Sequence, residues 1–211
     1  LAVSSAVQDA GGWRGHSADI RRNILSKVAR ELQRAREDLT GAMLAEGGKT
    51  ISESDPEISE AIDFCHFYGE WASIFQQSLG LKCQGKGVVV GVSPWNFPLA
   101  IPCGGVAAAL AAGNTGILKP ASDTVLVAYL LCRCFWQAGV PQTALQFTPC
   151  SGNSVGQRLV THKDVSSVIL TGGTATARTM LAAKPNLQLL AETGGKNTTI
   201  VTALADRDQA V

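Results

Sequence analysis

From Ile20 onward the apolar residues Ile24, Val28, Leu32, Ala35, Leu39 and Met43 recur at steps of three and four, the spacing that keeps one face of an α-helix apolar. Ser17 stands ahead of the run as an N-cap and Gly47-Gly48 closes it, so the pattern predicts one long amphipathic helix with an Arg- and Glu-rich outer face. Asp55-Pro56 then reads as a cap followed by a proline in the first helical position, and Ile58, Ile62, Cys65, Gly69 and Ala72 carry a second helix. The chain as far as Gly80 is therefore expected to be helical.

After Gly85 the pattern changes. Strands are predicted at Gly87 to Val92, Thr115 to Lys119, Leu145 to Thr148, Ser167 to Leu170, Leu187 to Ala191 and Thr198 to Val201. Helices are predicted between them at Leu99 to Ala112, Asp123 to Ala138, Ser154 to Thr161 and Thr174 to Ala183, with Gly113-Asn114 and Gly139 as stops. Alternation of this kind predicts an α/β fold, a doubly wound and mostly parallel sheet with helices on both faces. The expected organisation is one unit over residues 1–211, a helical part over 1–84 packed on a core over 85–211, with a boundary near Gly80 to Gly85.

Composition narrows the picture. Hydrophobic residues make up 45% and charged residues 17% of the 211, enough apolar surface for a real core. Eighteen basic against seventeen acidic residues leave a net charge of +1, too little to hold nucleic acid or anionic lipid. The most apolar stretch, Ile101 to Ala112, is interrupted by Pro102, Gly104 and Gly105 and is shorter than the roughly 20 residues of a membrane span. Leu1 to Gly12 has neither an initiator Met nor the basic and apolar regions of a signal peptide, and is expected to be a domain boundary. Six scattered cysteines lack the paired spacings of a zinc site or a disulfide scaffold, so reduced thiols, a cytoplasmic location and no bound metal are expected.

Ligands of open α/β sheets bind beyond the C-terminal ends of the strands, which directs attention to four junctions. In Ser93-Pro94-Trp95-Asn96-Phe97-Pro98 two prolines stiffen the chain around Asn96, whose amide could stabilise an oxyanion; the same residues equally describe a turn with Asn96 capping the next helix. In Lys119-Pro120-Ala121-Ser122 the lysine could reach ribose or phosphate, or simply be solvated. Leu170-Thr171-Gly172-Gly173-Thr174 joins strand to helix through adjacent glycines, which suits a pyrophosphate at a helix N-terminus and also suits a tight turn. Ser151-Gly152-Asn153-Ser154-Val155-Gly156 has a similar character. Glu192 in Ala191-Glu192-Thr193-Gly194-Gly195-Lys196-Asn197 is either a partly buried general base or an exposed strand-end carboxylate.

Other matches fail. Gly48-Lys49-Thr50 resembles the end of a P-loop, but Met43 occupies the required glycine position and the segment closes a helix. Cys132 and Cys134 lie two apart in a helical pattern and so point to different faces, and His16, His66 and His162 have no sequence neighbours to work with.

Taken in order, the four junctions resemble the aldehyde dehydrogenase superfamily, whose members carry P-W-N-F-P, K-P-[SA], F-T-G-[SG] and E-x-G-G-K. The form of the last segment, and Glu60 to Trp71, are closer to the branch that oxidises glutamate γ-semialdehyde: 1-pyrroline-5-carboxylate dehydrogenase and the matching half of bifunctional proline utilization A. The resemblance implies the Rossmann-like N-terminal domain of that superfamily, binding NAD, with NADP as the alternative. It further implies that a cysteine thiolate attacks the aldehyde, hydride passes to NAD, and a Glu-activated water releases the acid, here L-glutamate. By matching position Asn96 would hold the oxyanion and Glu192 would be the base. Lys119 and Ser122 would face the adenosine ribose, Trp95, Gly172 and Gly173 would line the pyrophosphate, and Gly152 and Gly156 the adenine side; Ser93, Pro94, Thr171 and Thr176 would also contact the cofactor.

Two residues depart from the pattern: Ser122 replaces a Glu that grips the ribose hydroxyls in many relatives, and Gly173 replaces a common Ser. The nucleophile of the superfamily lies in a G-Q-x-C context downstream of the Glu, and none of the six cysteines has it. The chain is therefore expected to be a piece lacking the catalytic domain and inactive alone. As a whole protein the resemblance implies a small-molecule aldehyde substrate and a homo-oligomer, with fusion to a proline dehydrogenase domain as an option. A dinucleotide-binding module without chemistry and an NADPH-dependent acyl-phosphate reductase are the alternatives, the second disfavoured by Glu192.

Overall fold

The computed structural model describes residues 1–78, 83–195 and 198–210. Part of the expected boundary at Gly80 to Gly85 and the Lys196 and Asn197 positions of the last motif lie outside the described residues.

The chain opens with α1 (Ala2–Gln8) and a short 3-10 turn. This first helix packs on the sheet: Val3 and Ala6 are buried against it, and the Thr115 hydroxyl donates to the Ala6 carbonyl at 2.9 Å. Next comes a layer of α2 (Ala18–Arg34), α3 (Arg36–Gly47) and α4 (Ile51–Gln77). Ser17 caps α2 as expected, its side chain accepting from the Ile20 N–H. The single long helix expected from Ile20 to Met43 is instead two, broken at Ala35 with φ −85° and ψ 8°. No glycine or proline signals the break. Arg36, the first residue of α3, pairs with Asp55 and donates to the Ser59 hydroxyl at 3.1 Å, which ties the start of α3 to α4.

Helix α4 begins at Ile51, five residues before Pro56, the expected first helical position. Glu53 accepts the Thr50 backbone N–H at 2.8 Å in a capping box, which meets the orphan donors of the first turn; Pro56 then sits inside the helix and forgoes one intrahelical bond. Gly48 closes α3 in the left-handed conformation, φ 63°, which accounts for the glycine where a P-loop had been rejected.

The remainder alternates: β1 (Val88–Val92), α5 (Ala100–Ala111), β2 (Thr115–Lys119), α6 (Val125–Gln137), β3 (Leu145–Phe147), a π-type turn over Gly152–Gly156, α7 (Gln157–Val160), β4 (Val165–Gly172), α8 (Thr174–Ala183), β5 (Leu189–Thr193) and α9 (Arg207–Ala210). The short helix expected at Ser154 to Thr161 is therefore half π-turn and half α7. All five strands are parallel, in the order β3-β2-β1-β4-β5. The strand expected at Thr198 to Val201 is absent from the described sheet, and Ile200 is exposed. β-Propensity alone does not make a strand without a paired neighbour.

Side chains alternate across the sheet. Val88, Val90, Ile117, Val168 and Leu170 pack with α1, α7 and α8, whereas Leu118 and Leu145 pack with α5, α6 and the layer of α2, α3 and α4. That layer also supplies charges to the sheet helices. Glu46 accepts the Leu126 and Val127 N–H groups at the start of α6, each at 3.0 Å. Glu57 accepts the Leu99 and Ala100 N–H groups at the start of α5, at 2.8 and 3.0 Å. At the other end of α5 the buried Arg21 guanidinium donates to the Ala111 carbonyl at 2.9 Å; burial depresses its proton affinity. Anions at helix N-termini and a cation at a C-terminus match the helix dipole.

Candidate active site

In this strand order the crossovers on either side of β1 and β4 run in opposite directions, so the loops after those two strands part and leave a crevice at the C-terminal rim. A cavity of about 460 Å³ opens there, lined by Ser93, Pro94, Trp95 and Asn96 after β1, by Thr171, Gly172, Gly173 and Thr176 around the end of β4, and by Glu192 of β5. A second cavity, of about 310 Å³, is lined by Lys119, Gly152, Gly156 and Thr176. Val92 and Thr176 line both, so the two adjoin. Of the sequence candidates, Ser122 is exposed and lines neither, while its neighbour Ala121 lines the larger.

Asn96 is exposed, and its carboxamide has no hydrogen-bond partner among the described residues. It does not cap α5: the N-cap position is Leu99 and the capping acceptor is Glu57. The capping alternative is thereby removed; Asn96 lines this cavity and also a neighbouring one formed with Gly48, Lys49 and Pro56, and its amide has no described partner that would hold it from either.

Gly172 and Gly173 are not explained by their turn. Neither has positive φ, and a Cβ at either would meet its nearest neighbour at an ordinary 3.7 or 3.8 Å. The chain could run here with alanines, so the glycines leave room for something else. Helix α8 has no side-chain cap, and among the described residues the Thr174 and Ala175 N–H groups have no acceptor. Two free donors, a helix dipole and a surface without side chains form a setting for a phosphate.

Lys119 is buried, 8% exposed, at the end of β2, and its ammonium donates to the Pro120 carbonyl at 2.8 Å. A solvated lysine is therefore excluded. Gly156 faces it: a Cβ there would stand 3.5 Å from the Lys119 Cε and 2.9 Å from the Ser151 carbonyl. Glu192 lies within β5, not after it, and is exposed. The partial burial expected for a tuned base is not provided by the described residues, because β5 is the sheet edge and has a strand neighbour on one side only.

Of the cysteines, Cys65, Cys103, Cys132 and Cys134 are buried, Cys83 is exposed and Cys150 is half-buried; none lines either cavity. The hydrogen bond with Cys65, and then burial, push Cys103 well above the usual thiol range; burial does the same to Cys132 and pushes Cys134 up to about 12.

Sequence reasoning passed over Lys49 and Glu57. Lys49 donates to a Glu57 oxygen at 2.6 Å and to the Asn96 carbonyl at 3.0 Å, with its ammonium 4.3 Å from the centre of the Phe97 ring. A signal existed: Glu57 falls with Ser54, Ile58, Ala61 and Cys65 on the buried face of α4, and a carboxylate on such a face needs a partner.

A family model described as Aldehyde dehydrogenase family matches residues 1–211. The chain is 38% identical over 218 residues to the bifunctional protein PutA of Escherichia coli (strain K12), covering 100% of the chain and 16% of that protein. It is 34% identical over 229 residues to a 1-pyrroline-5-carboxylate dehydrogenase of Staphylococcus epidermidis, covering 99% of the chain and 44% of that protein. The solved structure of proline utilization A from Corynebacterium freiburgense superposes with a TM-score of 0.84 at 39% identity, over 92% of the chain and 20% of that chain. The chain thus spans less than half the length of each of these relatives.

Proposed function

The chain belongs to the aldehyde dehydrogenase family, and from that premise we propose that it is the dinucleotide-binding part of an NAD-dependent enzyme that oxidises L-glutamate γ-semialdehyde to L-glutamate in proline catabolism. The observation that carries this reading is that Asn96, Gly172, Gly173 and Glu192, from three strand ends, line one cavity. NAD is the proposed cofactor and NADP the one against which it is tested. When bound, the nicotinamide supplies the hydride acceptor.

The chain's own residues divide the rest of the work. The first-turn N–H groups of α8 and the bare backbone of Gly172 and Gly173 hold the pyrophosphate. Lys119, Gly152 and Gly156 take the adenosine end, and Trp95 closes the side formed by the loop after β1. The Asn96 amide donates to the aldehyde oxygen as negative charge builds there, a contribution typically worth ~3 kcal/mol. Glu192 takes the proton of the water that releases the acid. The attacking thiolate is assigned to a part of the protein outside this chain, since no described cavity residue is a cysteine. The whole protein is proposed to be a cytoplasmic homo-oligomer, with room for fusion to a proline dehydrogenase domain.

Calorimetric titration of the chain with NAD and with NADP tests the reading: heat with NAD is expected, and none with either would overturn it. The alternative reading is a dinucleotide-binding module without chemistry. Aldehyde turnover by a protein carrying this chain and the sequence that follows it in its gene decides between the two.

A further inference from the structure

The geometry points to Lys49 and Glu57 as positioning residues that hold Asn96 in place, an inference that rests on the reading of Asn96 as donor to the aldehyde oxygen. The loop from Ser93 to Pro98 has few holds of its own. Pro94 and Pro98 carry no N–H, Trp95, Asn96 and Phe97 are exposed, and the described backbone bond that ties the loop to the sheet is the Ser93 N–H to the Lys119 carbonyl, at 3.3 Å.

Lys49 holds the tip. It follows Gly48, whose left-handed turn ends α3 and directs the lysine at the loop. Its ammonium donates to the Asn96 carbonyl and lies over the Phe97 ring, so Asn96 is gripped through its main chain and its carboxamide stays free. The Glu57 side chain, 1% exposed, fixes the ammonium through one oxygen. Its other oxygen accepts the Leu99 and Ala100 N–H groups, where the same loop passes into α5. One buried ion pair therefore holds both the tip of the loop and its exit. Burying two charges costs desolvation that their attraction barely recovers, so such a pair is a weak stabiliser and a good way to specify one arrangement. A donor aimed at a developing oxyanion needs that fixity, because preorganisation is the source of its effect.

Backbone and side-chain amide NMR on the 211-residue chain tests the clamp with the variants K49M, K49R and E57Q. In the wild type the order parameters of the Asn96 and Phe97 amides should lie in the rigid range, about 0.85, and in K49M they should fall below about 0.6. The Asn96 side-chain amide resonance should broaden or shift with them, and K49R should restore both. E57Q keeps an oxygen for Leu99 and Ala100 but turns an N–H towards the ammonium. It should therefore loosen Asn96 while the Leu99 and Ala100 amides stay protected from exchange, a separation that a merely structural glutamate would not produce. A loop already mobile in the wild type, or an Asn96 unmoved by both K49M and E57Q, would overturn the clamp. Turnover unaffected by Asn96→Ala in the extended protein, with the loop loosened by K49M, would overturn the reading of Asn96 and leave the clamp standing as a loop anchor.

Discussion

Glu192 stands in register with Thr171 across the parallel pair of β4 and β5. The pairing sets the carboxylate beside the Gly172-Gly173 turn, and the Thr174 hydroxyl reinforces it by donating to the Thr193 hydroxyl at 3.1 Å. A slip of one residue would carry Glu192 to the opposite face of the sheet. Register, and not sequence proximity, is what brings a carboxylate and a phosphate-sized opening into one cavity.

Glu192→Gln keeps the shape and removes the base. In the protein extended beyond this chain, kcat for aldehyde oxidation should fall by about 10²- to 10⁴-fold, while calorimetry finds NAD affinity unchanged. Loss of both together would reassign Glu192 to cofactor binding.

Gly172→Ala separates stability from binding. Since Gly172 has no positive φ and a Cβ would meet Leu170 at 3.7 Å, urea unfolding should show stability held or raised by up to ~1 kcal/mol. NAD affinity should drop about tenfold or more, as a methyl group intrudes where the backbone approaches the ligand. Gly194, at φ 86°, is the control: Gly194→Ala should cost about 1–2 kcal/mol of stability.

The thiols should fall into two classes. A disulfide reagent at pH 8 should label Cys83 quickly and Cys150 more slowly, and leave the buried Cys65, Cys103, Cys132 and Cys134 untouched until the chain unfolds. Folding raises the pKa of Cys134, so the unfolded chain ionises first. The associated stability is complete below an unfolded thiol value of about 8.5 and is lost as pH rises towards the folded value of about 12. Urea midpoints between pH 7 and 10 should fall, and Cys134→Ala should flatten the decline.

Glu53 should show the opposite sign. The Thr50 N–H and hydroxyl hold its carboxyl below the ordinary value of 4.5, so its contribution is present at neutral pH and disappears as pH falls through the lowered value. The Tm advantage of the wild type over Glu53→Gln should be present at pH 7 and close under acid; an advantage independent of pH would assign the cap to hydrogen bonding alone.

Much of this was legible in the chain. The Thr115–Lys119 strand and the Thr174–Ala183 helix were read to the residue, because periodicity and glycine stops are local. The same reading missed the break at Ala35 and the start of α4 at Ile51. The first coincides with contacts from Arg36 to another helix, which a local pattern does not encode, and the second with a capping box that competes with a proline signal.

The sequence by itself determined the α/β alternation, the rim segments that hold the candidate groups, and the resemblance to one family, because each is written in residues close to one another along the chain. The tertiary structure alone decided that Asn96 and Glu192 line the same cavity, that Glu57 and not Asn96 caps α5, and that Lys49 grips the loop. Those relationships join residues far apart in sequence. They exist only once the strand order and the packing of the helical layer bring their side chains within a few ångströms, where hydrogen bonds and ion pairs can form.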